Sequence, residues 1–138
     1  MSLVIVGSPP AEVSAWLARR RTLGQDRHDE VWEGEYHVAP AAHEHHGLVA
    51  ADLLAVLRPY ARARGLRVIA EFNLGDGPAD YRVPDGGLIR QPVGETFLRS
   101  AVGVIEVLSP GDETFAKFGF YAAHAVDEVL VADPGRCE

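Results

Sequence analysis

The ten residues from Ala101 to Pro110, AVGVIEVLSP, constrain this chain most, because nearly every position is apolar and yet an acid stands at Glu106. A short continuous apolar run ended by Ser-Pro is the pattern of a strand covered on both faces, inside a sheet against which helices pack. Alternation places Val102, Val104, Glu106 and Leu108 on one face and Gly103, Ile105 and Val107 on the other. A carboxylate removed from water either takes up a proton or finds a cation. Glu106 therefore requires a partner from elsewhere in the chain, in a structural ion pair or in a functional site.

The flanking sequence supplies the layers. Ser8-Pro9-Pro10 opens a helix over about 9–23, with Ser8 as its cap, a stop at Gly24, and Arg19 to Arg21 in its last turn, where positive charge suits the helix dipole. EVWEGEYHVAP reads as two strands about a turn at Glu33-Gly34. The segment HEHHGLVAADLLAVLRPYARARG reads as a long amphipathic helix with Leu48, Val49, Leu53, Val56 and Leu57 near helical spacing, which Pro59 should kink or divide. LRVIAEFNLG, ADYRVPDGGLIR, AVGVIEVL and DEVLVADP each read as one strand, with GDETFAKFGFYAAHA a helix between the last two. This order predicts an α/β or α+β fold, a sheet flanked by helices. The crossover through that last helix predicts a parallel pairing of DEVLVADP with AVGVIEVL.

Composition narrows the function. A net charge of −7 excludes a broad basic surface for nucleic acid, so any action on DNA relies on a local patch or on metal ions. No apolar run approaches the roughly 20 residues of a membrane span, and the single cysteine, Cys137, fits a reducing compartment. A cytoplasmic protein is expected. Twelve arginines stand against one lysine, Lys117, which makes that ammonium group conspicuous.

Asp85 is the second acid of interest, in VPDGGLI after Pro84 and before two glycines. Pro84 has no ladder donor, and Gly86-Gly87 permit a close backbone approach. Asp85 is either a turn former or, with Glu106, half of a two-carboxylate site for a hard divalent cation. Helical spacing puts Lys117, Tyr121 and His124 on one face of the following helix and Phe115, Phe118 and Ala122 on a second, more apolar one. Lys117 is either a solvated lysine paired with Glu113 or part of the site that holds Glu106. The cluster His37, His43, His45 and His46 suggests zinc, but a solvated helix start accounts for most of it better.

Pro-Asp, about twenty residues, Glu in an apolar strand and then a nearby Lys resembles the PD-(D/E)XK nuclease superfamily. VPDGGLI, VIEVLSPGDETFAKFGFYAAHAVDEVLVADP and GEYHVAP with HHGLVAADLLAVL resemble, more narrowly, the Uma-two family of restriction-endonuclease-like proteins, from about Val31 to Pro134. The resemblance implies one restriction-endonuclease-like domain over 1–138, with a central mixed β-sheet. It also implies Asp85 and Glu106 as ligands of Mg2+, or of Mn2+, with further contributions from Glu35, His46 or Tyr121. The superfamily's strand lysine falls here at Leu108, whereas the similar family carries its lysine on the next helix, which matches Lys117. The family places Gly at Ala125, so a left-handed helix cap there strains this chain. It also runs on past VADP, so the sheet is expected to be C-terminally shortened or completed by a partner chain, as in a homodimer.

The resulting expectation is hydrolysis of DNA phosphodiester bonds. Asp85 and Glu106 hold the ion, Lys117 orients the water or neutralises charge, and Arg58 and Arg62 on the long helix steer DNA. The alternatives are a nuclease-like module that binds without cutting and an oligomer subunit with Glu106 in a buried salt bridge.

Overall fold

In the computed structural model, which describes residues 3–136, the chain forms ten strands and three α-helices in two mixed sheets. Cys137 lies outside the described residues. The chain runs β1 (Leu3–Ile5), α1 (Ala11–Thr22), β2 (Glu30–Trp32), β3 (Glu35–Val38), α2 (Glu44–Ala63), β4 (Arg67–Ala70) and β5 (Asn73–Gly77). It continues through β6 (Asp80–Arg82), β7 (Gly86–Ile89), β8 (Phe97–Leu98), β9 (Gly103–Val107), a 3-10 turn (Thr114–Lys117), α3 (Phe118–Ala123) and β10 (Glu128–Ala132). One sheet has the order β1-β3-β2-β6-β5-β8 and the other β10-β9-β7-β4.

The apolar run of the sequence is β9, buried along its whole length between β10, with which it pairs in parallel, and β7, with which it pairs antiparallel. Two runs that read as single strands are each split between the sheets. LRVIAEFNLG breaks after Ala70 into β4 and β5, and ADYRVPDGGLIR breaks at Val83 to Asp85 into β6 and β7. Pro84, lacking an N–H, sits in the second break and cannot carry the ladder through. β1 and β8 are short additions to the six-stranded sheet that the sequence pattern did not reveal.

The turn at Glu33-Gly34 is a two-residue hairpin with φ of 50° and 89°, the primed geometry that matches the twist of its strands. α1 begins at Ala11 with Pro10 at the cap and no side-chain capping bond, so Ser8 does not cap it. Its Arg20 instead reaches buried Asp29, 2.9 Å from both carboxylate oxygens, and so pins the helix to the start of β2.

α2 runs unbroken through Pro59 and packs on β4, β7 and β9. Its inward stripe is His46, Val49, Ala50, Leu53, Leu54, Leu57 and Ala61, whereas Leu48 and Val56, expected on that face, are exposed. Gly86 and Gly87 let the layers meet. A Cβ at Gly86 would stand 2.7 Å from Leu54 Cδ2, and one at Gly87 would stand 2.8 Å from both the Gly103 carbonyl oxygen and the Phe72 ring.

α3 reverses the expected facing. Tyr121 is buried in the cluster with Leu74, Ala101 and Val104, while Phe115 and Phe118 are exposed. A tyrosine buries a large apolar ring provided its hydroxyl finds an acceptor, and here the acceptor is Glu106. α3 ends at His124 in a Schellman turn, with Val126 N–H donating to Tyr121 O at 3.0 Å and Ala125 N–H to Ala122 O at 3.2 Å. Ala125 takes the left-handed conformation, with φ of 56°, that the family resemblance implied.

Candidate active site

A cleft of about 520 Å3 opens between the start of α2, the six-stranded sheet and the ends of β7 and β9, and its walls carry Glu30, His37, His46, Asp85, Glu106 and Lys117. Each arrives for a local reason. Glu106 stands near the end of the most deeply buried strand. Asp85 follows Pro84 at the entry to β7, where its Oδ2 accepts the Val107 N–H at 2.7 Å and ties the acid to the strand end that carries Glu106. His46 lies on the inward stripe of α2, with Nε2 3.2 Å from Asp85 Oδ1. Lys117, one turn before Tyr121, points inward from the end of the 3-10 turn.

Lys117 Nζ stands 3.2 Å from Glu106 Oε1 and 2.8 Å from Glu30 Oε1. Tyr121 donates its hydroxyl proton to the same Glu106 Oε1. Glu30 is also held by the Val83 N–H on Oε1 at 2.9 Å and the Trp32 indole N–H on Oε2 at 2.7 Å. Trp32 lies in a column of stacked groups. His37 covers it at 4.2 Å, the Arg82 guanidinium follows at 4.5 Å, and Phe120 packs against Arg82 at 4.0 Å. Trp32 and His37, at one end of this column, line the cleft.

Burial raises the Glu106 pKa to about 7, opposed by Lys117 and the Tyr121 hydrogen bond and reinforced by Asp85 and Glu30. For Lys117 burial acts downward, but the Glu30 and Glu106 charges outweigh it and hold the ammonium above its usual range. The Asp85 hydrogen bond raises His46. Burial raises Tyr121, assisted by Glu106, so it stays a hydrogen-bond donor.

Glu35 does not line the cleft. It shares a strand face with His37 but sits beside the hairpin turn and is exposed. Glu30, which pairs across the ladder with His37, is the acid that β2 and β3 place in the cleft. Its signal was the one that marked Glu106, an acid beside apolar strand residues, but no turn or family motif drew attention to it. Leu108 is also absent from the cleft wall, because β9 ends at Val107 and strand alternation stops there. Arg58 and Arg62 are exposed farther along α2 and do not line it. Glu113, read as a partner for Lys117, instead meets His37, whose Nδ1 is 3.1 Å from its Oε2.

Donor chemistry in the cleft suits a hard divalent cation. Glu30, Asp85 and Glu106 outnumber the one permanent cation, Lys117, and Glu106 Oε2 accepts no hydrogen bond among the described residues. As the side chains stand, no three acidic, histidine or cysteine residues converge on one point among the described residues. An ion on Asp85 and Glu106 would therefore complete its shell with water and substrate oxygens, the habit of magnesium. Among the described residues no helix is long and apolar enough to cross a membrane.

Residues 12–138 match the Uma2 family, described as "Putative restriction endonuclease". The fold is similar to a crystal structure of a "putative nuclease belonging to DUF820" from Anabaena variabilis ATCC 29413, with a TM-score of 0.65 and 22% identity over 78% of this chain. This chain spans 66% of that one, just under two thirds of its length. No curated protein matches the sequence.

Proposed function

The chain belongs to the Uma2 family, and on that premise we propose that it is a metal-dependent endonuclease that hydrolyses DNA phosphodiester bonds. The observation that carries this reading is the meeting of Asp85, Glu106 and Lys117, from three separate elements, on the wall of one cleft. Asp85 and Glu106 would hold Mg2+, or Mn2+, which supplies charge neutralisation and a water of lowered pKa. Lys117, kept protonated by its two carboxylates, sets a fixed positive charge beside the position where phosphate charge develops. His46 orients Asp85 from the start of α2. Tyr121 fixes the Glu106 carboxylate from below. Arg58 and Arg62 extend the exposed surface of α2 along which DNA would approach.

Cleavage of supercoiled plasmid with and without EDTA tests this reading. Wild-type protein should nick DNA only with the metal, and Asp85→Asn and Lys117→Met should each lose at least about a hundredfold in rate, as removal of a transition-state charge does. Metal-dependent cleavage that survives both substitutions would overturn the assignment.

A second reading, a nuclease-like module that binds without cutting, is favoured by the full engagement of Lys117 between Glu30 and Glu106. It predicts DNA binding without turnover at any metal concentration. Homodimerisation, the remaining expectation from the resemblance, is checked by sedimentation of the full chain.

A further inference from the structure

Two unlike sets of residues line the cleft. One is the charged set with Asp85, Glu106 and Lys117, in which Glu106, its side chain only 4% exposed, keeps Oε2 unpaired among the described residues yet not sealed from water. The other set is small and apolar: Ala39, Pro40 and Ala41 in the segment that leads into α2, then Gly47, Ala50 and Ala51 on α2 itself. The two sets adjoin. His46 reaches Asp85 at 3.2 Å, and Leu54, two turns on, would stand 2.7 Å from a Cβ at Gly86, so Ala50 between them faces the stretch where Asp85 enters β7.

The apolar wall is fixed and kept clear. Ala39 donates its N–H to buried Asp29 at 2.7 Å, and Asp29 is held in turn by Arg20 at 2.9 Å and by the Tyr36 hydroxyl at 2.8 Å. Gly47 weakens the first turns of α2 relative to alanine. Its φ is not left-handed, and a Cβ there would meet nothing within 4 Å. Neither backbone conformation nor packing within the described chain calls for glycine, so what it keeps open is space in the cleft.

Charge decides what form of nucleic acid fits that space. Binding of a duplex is driven by Lys and Arg that displace counterions from many phosphates. No arginine lines the cleft, and its one lysine is taken up by Glu30 and Glu106. A volume of about 520 Å3 is that of a small-molecule pocket, suited to a nucleotide rather than to a length of double helix. A nucleotide turned out of its stack brings one phosphate to the charged set and an apolar ring face to the small one.

We infer that the cleft takes an unpaired nucleotide of single-stranded DNA, with its phosphate toward Asp85 and Glu106 and its base against the wall formed by Ala39 to Ala41 and α2, and that Gly47 and Ala51 set this preference by leaving room for the base. The inference rests on the reading of this cleft as a DNA site and deepens it by naming the form of DNA. Negative supercoiling favours local strand opening, so nicking of supercoiled plasmid agrees with it.

Fluorescence anisotropy with the full chain tests this, in Ca2+, a hard cation with the same oxygen ligands as Mg2+. The probes are a labelled single-stranded oligonucleotide, the same sequence as a blunt duplex, and an abasic strand of equal length. The single strand should bind about tenfold more tightly than either of the others, the effect of burying a modest apolar surface. Gly47→Leu, which places a stronger helix former in α2, should melt no lower than wild type and lose that tenfold preference. Equal or tighter binding of the duplex or of the abasic strand would overturn the inference, as would an unchanged preference in Gly47→Leu. Should Gly47→Leu fail to fold, Ala51→Leu decides by the same readout: loss of the preference supports the inference and its retention overturns it. Single-strand preference in a protein that cuts no DNA would overturn the hydrolytic reading and leave this inference standing, whereas metal-dependent cleavage without that preference overturns this inference alone.

Discussion

Lys117 lies closer to Glu30 than to Glu106, 2.8 Å against 3.2 Å, so the lysine that the sequence pairs with the strand acid is anchored first by a residue from the other sheet. The two sheets thus meet at a charged contact on the cleft wall. Breaking one partner of a buried charged network exposes the cost of the others.

Glu30→Gln should therefore lower the free energy of unfolding by about 1.5–3 kcal/mol, the scale of a hydrogen bond to a charged group. The amide also presents an N–H toward the Trp32 indole N–H or the Val83 N–H, each of which now donates to a carboxylate oxygen. Urea denaturation monitored by tryptophan fluorescence measures the loss, and an unchanged midpoint would show that the Glu30 contacts carry no stability.

Glu106→Gln should stabilise the protein while removing its proposed metal ligand. The folded-state pKa of about 7 lies above the ordinary 4.5, so the folded protein holds the proton more tightly than the unfolded chain. Wild-type stability from this group is full below pH 4.5 and falls as the pH rises to 7. The variant escapes that fall, since its Oε1 still accepts from Lys117 and Tyr121. Its advantage in EDTA should be on the order of 3 kcal/mol at pH 8 and vanish near pH 4. Paired denaturation curves at the two pH values check the sign.

Tyr121→Phe removes the hydroxyl that lowers the Glu106 pKa, so that group should titrate above 7 in the variant. The buried carboxylate also loses a donor, which should cost about 1.5–3 kcal/mol near pH 8. Carbon-13 NMR titration of the Glu106 carboxyl reads the first effect directly, and a midpoint that stays at or below 7 would contradict the assignment of Tyr121 as its donor.

Ala125→Gly should raise stability by about 1 kcal/mol, because Ala125 holds φ of 56° in the Schellman turn after α3, where only glycine is free of the Cβ penalty. Thermal melting should show a higher midpoint. A lower one would mean that the gain in backbone freedom of the unfolded chain outweighs the relief of strain.

The sequence by itself determined the parts whose cause is local or nearly so. An apolar run ended by Ser-Pro makes β9, a Gly at the second hairpin position makes the β2 to β3 turn, and the spacing after Pro110 makes the crossover that brings β10 alongside β9 in parallel. The demand of Glu106 for a cation was legible as well, since burying a bare charge is forbidden wherever it occurs. The tertiary structure decided which groups answer that demand. Glu30 rather than Glu35 reaches Lys117, Tyr121 rather than Phe118 turns inward, and His37 comes to face the cleft. Those choices depend on how two sheets are set against each other at the breaks around Glu71 and Pro84, and no periodicity within one strand or helix encodes a contact between side chains that the chain brings together from different sheets.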